Sequence, residues 1–434
     1  MKKIVFSLLM LVPFGLVSCF SGASESSTEE IETQKMQQQV DSLYKKMSQA
    51  ERVAQLYGIR SSEVVENGKL SLQKCREKIP NGIGHVCQYA CALDLGPNEL
   101  RDFVRDSQNY LINETPLGVP AIFYEEAIIG LAAKGTTVYP QQLGVACSWN
   151  PTVNTEQTAE VMRSVGATLA LSPMVDLIRT AYWPRIEESY GEDGYLSPAM
   201  GVAFIEGLQK NGLKDGVAAC TKHFWGYGGG SSLTWKEIFE EVLMLHEAMI
   251  RLADCKVLMI SYGRFRSEQA VSSDTLLNKI LRGYLEFDGL VVGDYGAVEH
   301  SSQKGNPEIL KQRAIEALVA GNDIELPSNN CYKFLSELIK DGLIDEQYFE
   351  KAVKRSLMLK ARLGLLSTDR KLYANGDLDL DCPQYRKTSY DLACQSIVLL
   401  KNNGVLPLSG KHKKIALVRP NANTYWCMLA DYTY

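Results

Sequence analysis

The chain has 434 residues, a formal net charge of −5, and 45% apolar against 22% charged residues. That balance excludes a disordered chain, allows a large packed core, and offers no basic excess of the kind a nucleic-acid partner requires. The length exceeds one ordinary domain and falls short of three.

At the N-terminus, Lys2 and Lys3 precede an apolar stretch over 4–17 that is too short to span a bilayer. It ends in Leu16-Val17-Ser18-Cys19, with small residues where a cleavage site needs them. This run resembles the lipobox of bacterial lipoproteins. The resemblance implies a signal peptide over 1–19, lipidation of Cys19, and an exported chain anchored to a bacterial membrane on its periplasmic or cell-surface side. An ordinary secretory signal with a chance cysteine is the alternative. Residues 20–39 read as a solvated polar tether. The eleven cysteines form no Cys-x2-Cys units and pair with no histidine at zinc spacing, so no metal is expected. Cys147 and Cys220 lie in apolar runs and read as small buried hydrophobes.

A helical pattern covers 40–56, where Ser48 and Glu51 are spaced as a capping box. Short apolar strands are then expected at 117–123, 166–175, 216–221, 256–262, 289–293 and 320–326. They alternate with helical stretches at 196–210, 235–254, 273–285, 307–319, 331–340 and 345–363. Such alternation argues a parallel α/β architecture. Several strands end in a polar residue: Glu125-Glu126, Asp176, Lys222-His223, Tyr262, Asp294 and Glu325. A (β/α)8 TIM-like barrel gathers all its strand ends around one pocket, and no G-x-G-x-x-G follows an early strand as a doubly wound sheet would suggest. The barrel is expected over 40–364 and a polar linker over 365–395. From 396 to 434 the chain reads as the opening strands, at 396–401 and 415–418, of an incomplete α/β sandwich domain.

The run Asp288-Gly-Leu-Val-Val-Gly-Asp294 reads as a doubly covered strand delivering one carboxylate to a glycine-flanked turn. A charged group in that position is where barrel enzymes keep their chemistry; a capping or turn aspartate is the plain alternative. Its neighbours in sequence order are Leu117-Gly-Val-Pro-Ala-Ile-Phe-Tyr-Glu-Glu-Ala127, Glu187-Glu-Ser-Tyr-Gly-Glu-Asp193, Lys222-His-Phe224 and Ser396-Ile-Val-Leu-Leu-Lys-Asn-Asn-Gly-Val-Leu-Pro-Leu408. Together these five runs resemble glycoside hydrolase family 3, in its two-domain β-glucosidase and β-xylosidase branch.

The resemblance implies a retaining exo-glycosidase that releases terminal non-reducing β-D-glucosyl or β-D-xylosyl residues from oligosaccharides, without a cofactor. Asp294 matches the nucleophile, which must be ionised and so needs nearby cations or donors. Glu126 matches the carboxylate that grips vicinal hydroxyls of the terminal sugar, while Glu125 points elsewhere. Arg185, Lys222 and His223 match the cationic clamp on the same sugar, and Met259 and Tyr262 match residues lining the pocket. The chain departs from the family pattern at Ile129, where a histidine is usual, and at Pro184, Gly263 and Tyr295. In two-domain members the acid/base comes from the second domain. In single-domain members a His-Asp pair on the loop after Lys-His-Phe supplies it, and residues 225–234 contain neither. The same residues thus admit a truncated, inactive remnant or a carbohydrate-binding lipoprotein, and a partner chain supplying the missing second domain.

Overall fold

The computed structural model describes residues 18–150, 155–210, 212–227, 233–300, 305–411, 413–418 and 422–424, with side chains from residue 29 onward. The expected signal segment at 4–17 and the side chain of Cys19 lie outside the described residues. Among those described, no helix is long and apolar enough to cross a membrane.

Seven parallel strands form the main sheet in chain order: β1 (Gly58–Arg60), β2 (His85–Cys87), β3 (Ile122–Glu125), β4 (Leu169–Ala170), β5 (Ala218–Phe224), β6 (Val257–Ile260) and β7 (Leu290–Gly293). All residues of β2 through β7 are buried. Helices cover the sheet from outside while side chains fill it from inside, which is why these strands read as apolar runs rather than alternations. The sheet closes on itself through a two-residue segment. Gly293 donates to the Ile324 carbonyl at 3.0 Å and Ile324 to Val291 at 3.1 Å. On the other side Glu325 donates to Leu56 at 2.9 Å and Gly58 to Glu325 at 3.1 Å. Ile324 and Glu325 therefore hold the eighth place of the expected barrel as single bridges to β7 and to Tyr57.

The outer helices start and stop where local chemistry dictates. In the helix Pro307–Ala320, proline sits in the first turn, Asn306 caps the Glu308 N–H, and Gly321 at φ +109° ends it. Ser48 and Glu51 do form the expected capping box. Because Ser48 takes an extended conformation, it separates Ser18–Lys46 from Gln49–Ala54, where the pattern predicts one helix over 40–56. The stretch expected as a tether is helical from Ser18 onward: past Thr28 it is rich in Glu, Gln, Lys and Met, good helix formers with no proline or glycine among them. Its side chains from Glu29 to Gln39 remain largely exposed.

The linker region also carries structure. It runs along the barrel wall, with Ala374 donating to Ser164 and Thr137 to Leu380, and then forms the helix Pro383–Gln395. The strands expected at 396–401 and 415–418 do not form. Ile397, Leu400, Leu417 and Val418 are 79–92% exposed, and a lone strand with no neighbour to pair with gains too little to order. Cys220 is buried as expected, but Cys147 is only half-buried, and the nine described cysteines are unpaired.

Gly84 lies at one of the close backbone approaches in the barrel. It donates to Ala54 at 2.7 Å and accepts from Ile122 at 3.0 Å, and a Cβ built there would sit 2.4 Å from the Gln55 carbonyl oxygen. Gly84→Ala should therefore lower unfolding free energy by at least the roughly 1–3 kcal/mol typical of overpacking, read as a shifted urea midpoint. An unchanged midpoint would mean that the β1–β2 seam yields freely.

Candidate active site

The residues expected in the site lie at the carboxyl ends of the strands, all at one end of the barrel. Glu126 follows β3, Lys222 and His223 fall inside β5, Met259 is in β6, and Asp294 follows β7 directly. Asp294 is 8% exposed and Glu126 7%, while Lys222 and His223 are at 2% and 1%.

Burying so many charges is tolerable only if each is matched. Lys222 Nζ donates to Glu126 Oε2 at 2.6 Å. Arg185 is held by Glu188 in a two-pronged pair, Nε to Oε1 at 2.7 Å and NH2 to Oε2 at 2.6 Å. Its NH1 stands 3.4 Å from His223 Nε2. His223 Nδ1 lies 2.7 Å from Asp176 Oδ2, and Nε2 lies 3.5 Å from Asp294 Oδ2. Burial pushes the Glu126 carboxyl up against the pull of the Lys222 ammonium, and Asp294 adds to the rise.

The two oxygens of Asp294 have different surroundings. Oδ1 accepts from the Tyr295 N–H at 2.7 Å, whereas buried Oδ2 has no hydrogen-bond partner among the described residues and faces His223. The first is fixed by its own turn and the second is left without a hydrogen-bond donor among the described residues. Tyr262 stands at the rim, 39% exposed. Its hydroxyl donates to the Tyr295 carbonyl at 2.9 Å, and burial together with the Asp294 charge drives its acidity far below that of a free phenol. Met259, opposite Val292 in the ladder, belongs to the large apolar core cluster; it backs the site, and no polar contact ties it to the carboxylates. Tyr227 completes a wall, its ring 5.1 Å from His223 and 5.9 Å from both Trp183 and Tyr262, with the Arg185 guanidinium 5.6 Å above it. Where the family pattern has histidine, Ile129 packs with Ile128 and Ala132 in a small apolar cluster.

Three residues that sequence reasoning does not place in the site belong to it. Glu188 is signalled by its spacing of three from Arg185. Tyr227 has no local signal. Asp176 reads as a polar strand end, but its partner is 47 positions away. Glu125 does point elsewhere, accepting the Ala90 N–H at 2.6 Å.

Comparison with known proteins gives a consistent picture. The sequence model described as "Glycosyl hydrolase family 3 N terminal domain" matches residues 50–359. A putative β-xylosidase of Formosa agariphila is 32% identical over 97% of this chain and 58% of its own length. A periplasmic β-glucosidase of Salmonella typhimurium is 28% identical over 89% of this chain and 50% of its own length. Among solved structures, the β-glucosidase EmGH1 of Erythrobacter marinus superposes with a TM-score of 0.79 at 31% identity, covering 86% of this chain and 51% of that one. The Listeria innocua β-glucosidase in complex with glucose superposes with a TM-score of 0.73 at 28% identity, covering 86% and 53%. The chain thus spans about half the length of the curated relatives it matches.

Burial raises the Glu125 carboxyl from its ordinary 4.5 to about 8. Between those values the folded chain keeps a proton that the unfolded chain has released, so this contribution to stability is whole below 4.5 and lost as pH rises through about 8. Glu125→Gln should flatten the fall of denaturation midpoint with pH across that window. An unaltered slope would show that Glu125 is ionised in the folded chain.

Proposed function

Because the chain belongs to glycosyl hydrolase family 3, we propose that it hydrolyses terminal non-reducing β-D-glucosyl or β-D-xylosyl residues of oligosaccharides by a retaining mechanism with Asp294 as nucleophile. The observation that carries this reading is the asymmetry of the Asp294 carboxylate, one oxygen anchored by the Tyr295 N–H and the other buried beside His223 with no hydrogen-bond partner among the described residues. In the proposed first step that free oxygen attacks the anomeric carbon of the terminal sugar, the glycosidic bond breaks, and the aglycone leaves with a proton from a general acid. Water then attacks the anomeric carbon and gives its proton to the conjugate base of that acid, the bond to Asp294 breaks, and the free sugar and the Asp294 carboxylate are restored. Glu126 grips adjacent sugar hydroxyls while paired to Lys222. Arg185 donates to the same sugar and offsets the two carboxylates, His223 meets that sugar through Nε2, and Tyr262 and Met259 bound the pocket.

The acid/base is proposed to come from outside the described residues. Glu126 and Asp176 are committed to Lys222 and His223, so neither is at liberty to shuttle a proton to a leaving group. The exposed apolar run from Ile397 to Val418 suits pairing with a partner chain that brings the rest of a second domain. Losing a general acid costs roughly 10^2- to 10^4-fold in rate, least for leaving groups that need no proton.

The test is turnover of an aryl β-xyloside and an aryl β-glucoside by the purified chain beside Asp294→Ala. Activity on either that falls to background in the variant supports the reading, and the faster substrate names the sugar. No turnover, but calorimetric binding of an imino-sugar, would move the reading to a carbohydrate-binding protein.

We further propose export and membrane attachment through lipidated Cys19, supported by the signal-like N-terminus and by the relative named as periplasmic. Cys19→Ala should move the chain from the membrane pellet to the soluble fraction after cell fractionation. A variant that still pellets would leave the anchor without support.

A further inference from the structure

Asp176 is 2% exposed and receives three N–H groups. Its Oδ2 accepts from the His223 backbone N–H at 3.1 Å and faces His223 Nδ1 at 2.7 Å, and its Oδ1 accepts from the Tyr227 N–H at 2.8 Å. An ionised carboxylate only accepts, so Nδ1 must carry the hydrogen. Burial would raise the Asp176 carboxyl, but His223 and the backbone donors hold it below the usual carboxylate range, which keeps it an acceptor. The opposite nitrogen of the ring is then defined as well. Nε2 stands between Arg185 NH1 at 3.4 Å and Asp294 Oδ2 at 3.5 Å. As a bare nitrogen it accepts from arginine; protonated, it donates toward Asp294.

Asp294 competes for the ring proton at Nε2 from 3.5 Å, against 2.7 Å for Asp176 at Nδ1. The Tyr227 ring lies against its face, centroids 5.1 Å apart. His246 is driven down to about 4, chiefly by burial, and carries no charge at neutral pH. Asp176 also ties Tyr227, at the start of the 225–234 loop, to the strand end that bears Lys222. One carboxylate thus orients the imidazole and the aromatic wall beside it.

We propose that Asp176 is a positioning residue of the sugar pocket, setting the Nδ1–H tautomer of His223 and pinning Tyr227 so that Nε2 meets the terminal sugar beside Asp294. The sugar role rests on the function proposed above; the tautomer does not. A buried aspartate on the far nitrogen of a working histidine is an established way to fix which nitrogen is free.

Two measurements on the purified chain decide this. The first is nitrogen-15 NMR of labelled histidine at alkaline pH, with the His223 signals among the five histidines assigned by their loss in His223→Gln. The wild type is expected to show Nδ1 protonated and Nε2 bare. In Asp176→Ala the proton is expected to move to Nε2, toward Asp294. Asp176→Asn keeps the volume with a single accepting oxygen, should show the same Nε2–H form in part, and serves if the alanine variant fails to fold. A wild-type His223 protonated at Nε2, or a wild-type pattern retained in both variants, overturns the proposal. The second is calorimetry with an imino-sugar, where affinity should fall roughly tenfold or more in the folded variants. A moved proton with unchanged affinity refutes the sugar role. A wild-type chain that binds no imino-sugar defeats the proposed function itself, and the sugar role of Asp176 with it, whichever tautomer His223 holds.

Discussion

A barrel made of strands two to seven residues long depends on being closed. Here closure runs through Ile324 and Glu325, whose backbone bonds join β7 to the chain around Tyr57. The Glu325 side chain reinforces the point by accepting from the N–H groups of Cys331 and Tyr332 at 2.7–3.1 Å. Burial raises that carboxyl to about 7 against the pull of those donors. Without this seam the ends of β3, β5 and β7 would not face one another, and Glu126, His223 and Asp294 would stand on an open sheet rather than around a cavity.

Within the closed barrel buried polar groups are handled in two ways. At the carboxyl ends of the strands Lys222 is paired with Glu126 and Arg185 with Glu188, His223 bonds Asp176, and one oxygen of Asp294 is buried without a hydrogen-bond partner among the described residues. Two other buried groups, His85 and Lys360, are pushed toward their neutral forms. His85 in β2 is fully buried, with neither ring nitrogen partnered among the described residues, and burial with the nearby Lys360 charge drives it down to about 3. Burial alone brings Lys360 itself down to about 7, where it donates to Gln55 Oε1 at 2.5 Å. Burial disfavours the charged form wherever no partner offsets it.

Much of this architecture is legible in the amino-acid order alone. β7 reads directly as Leu-Val-Val-Gly before Asp294 because a doubly covered strand leaves no polar face to blur the pattern. The long outer helices carry caps at predictable spacing, as Asn306 with Pro307 shows. What escapes the pattern does so for specific physical reasons. β1 and β2 are three residues each, and β2 opens on a histidine, so neither builds a recognisable period. The helix Pro97–Glu114 begins with a proline that reads as a breaker. Asp176 is visible as a strand end, but its use is set by a side chain on the next strand and a backbone N–H beyond it, a relation that exists only once β4 and β5 lie side by side.

The two bare apolar runs near the end of the described chain carry a further consequence. Ile397-Val398-Leu399-Leu400 and Ile415-Ala416-Leu417-Val418 are β-branched and aliphatic, free of proline and uncharged. Such segments can stack in register between copies of the chain and form the dry interfaces of cross-β fibrils. Each is bordered by cations, Lys401 after the first and Lys413 and Lys414 before the second. In register, those ammonium groups would be forced into rows of like charge, so the lysines act as gatekeepers against fibril growth. Salt screens such like-charge repulsion, so that protection weakens as ionic strength rises.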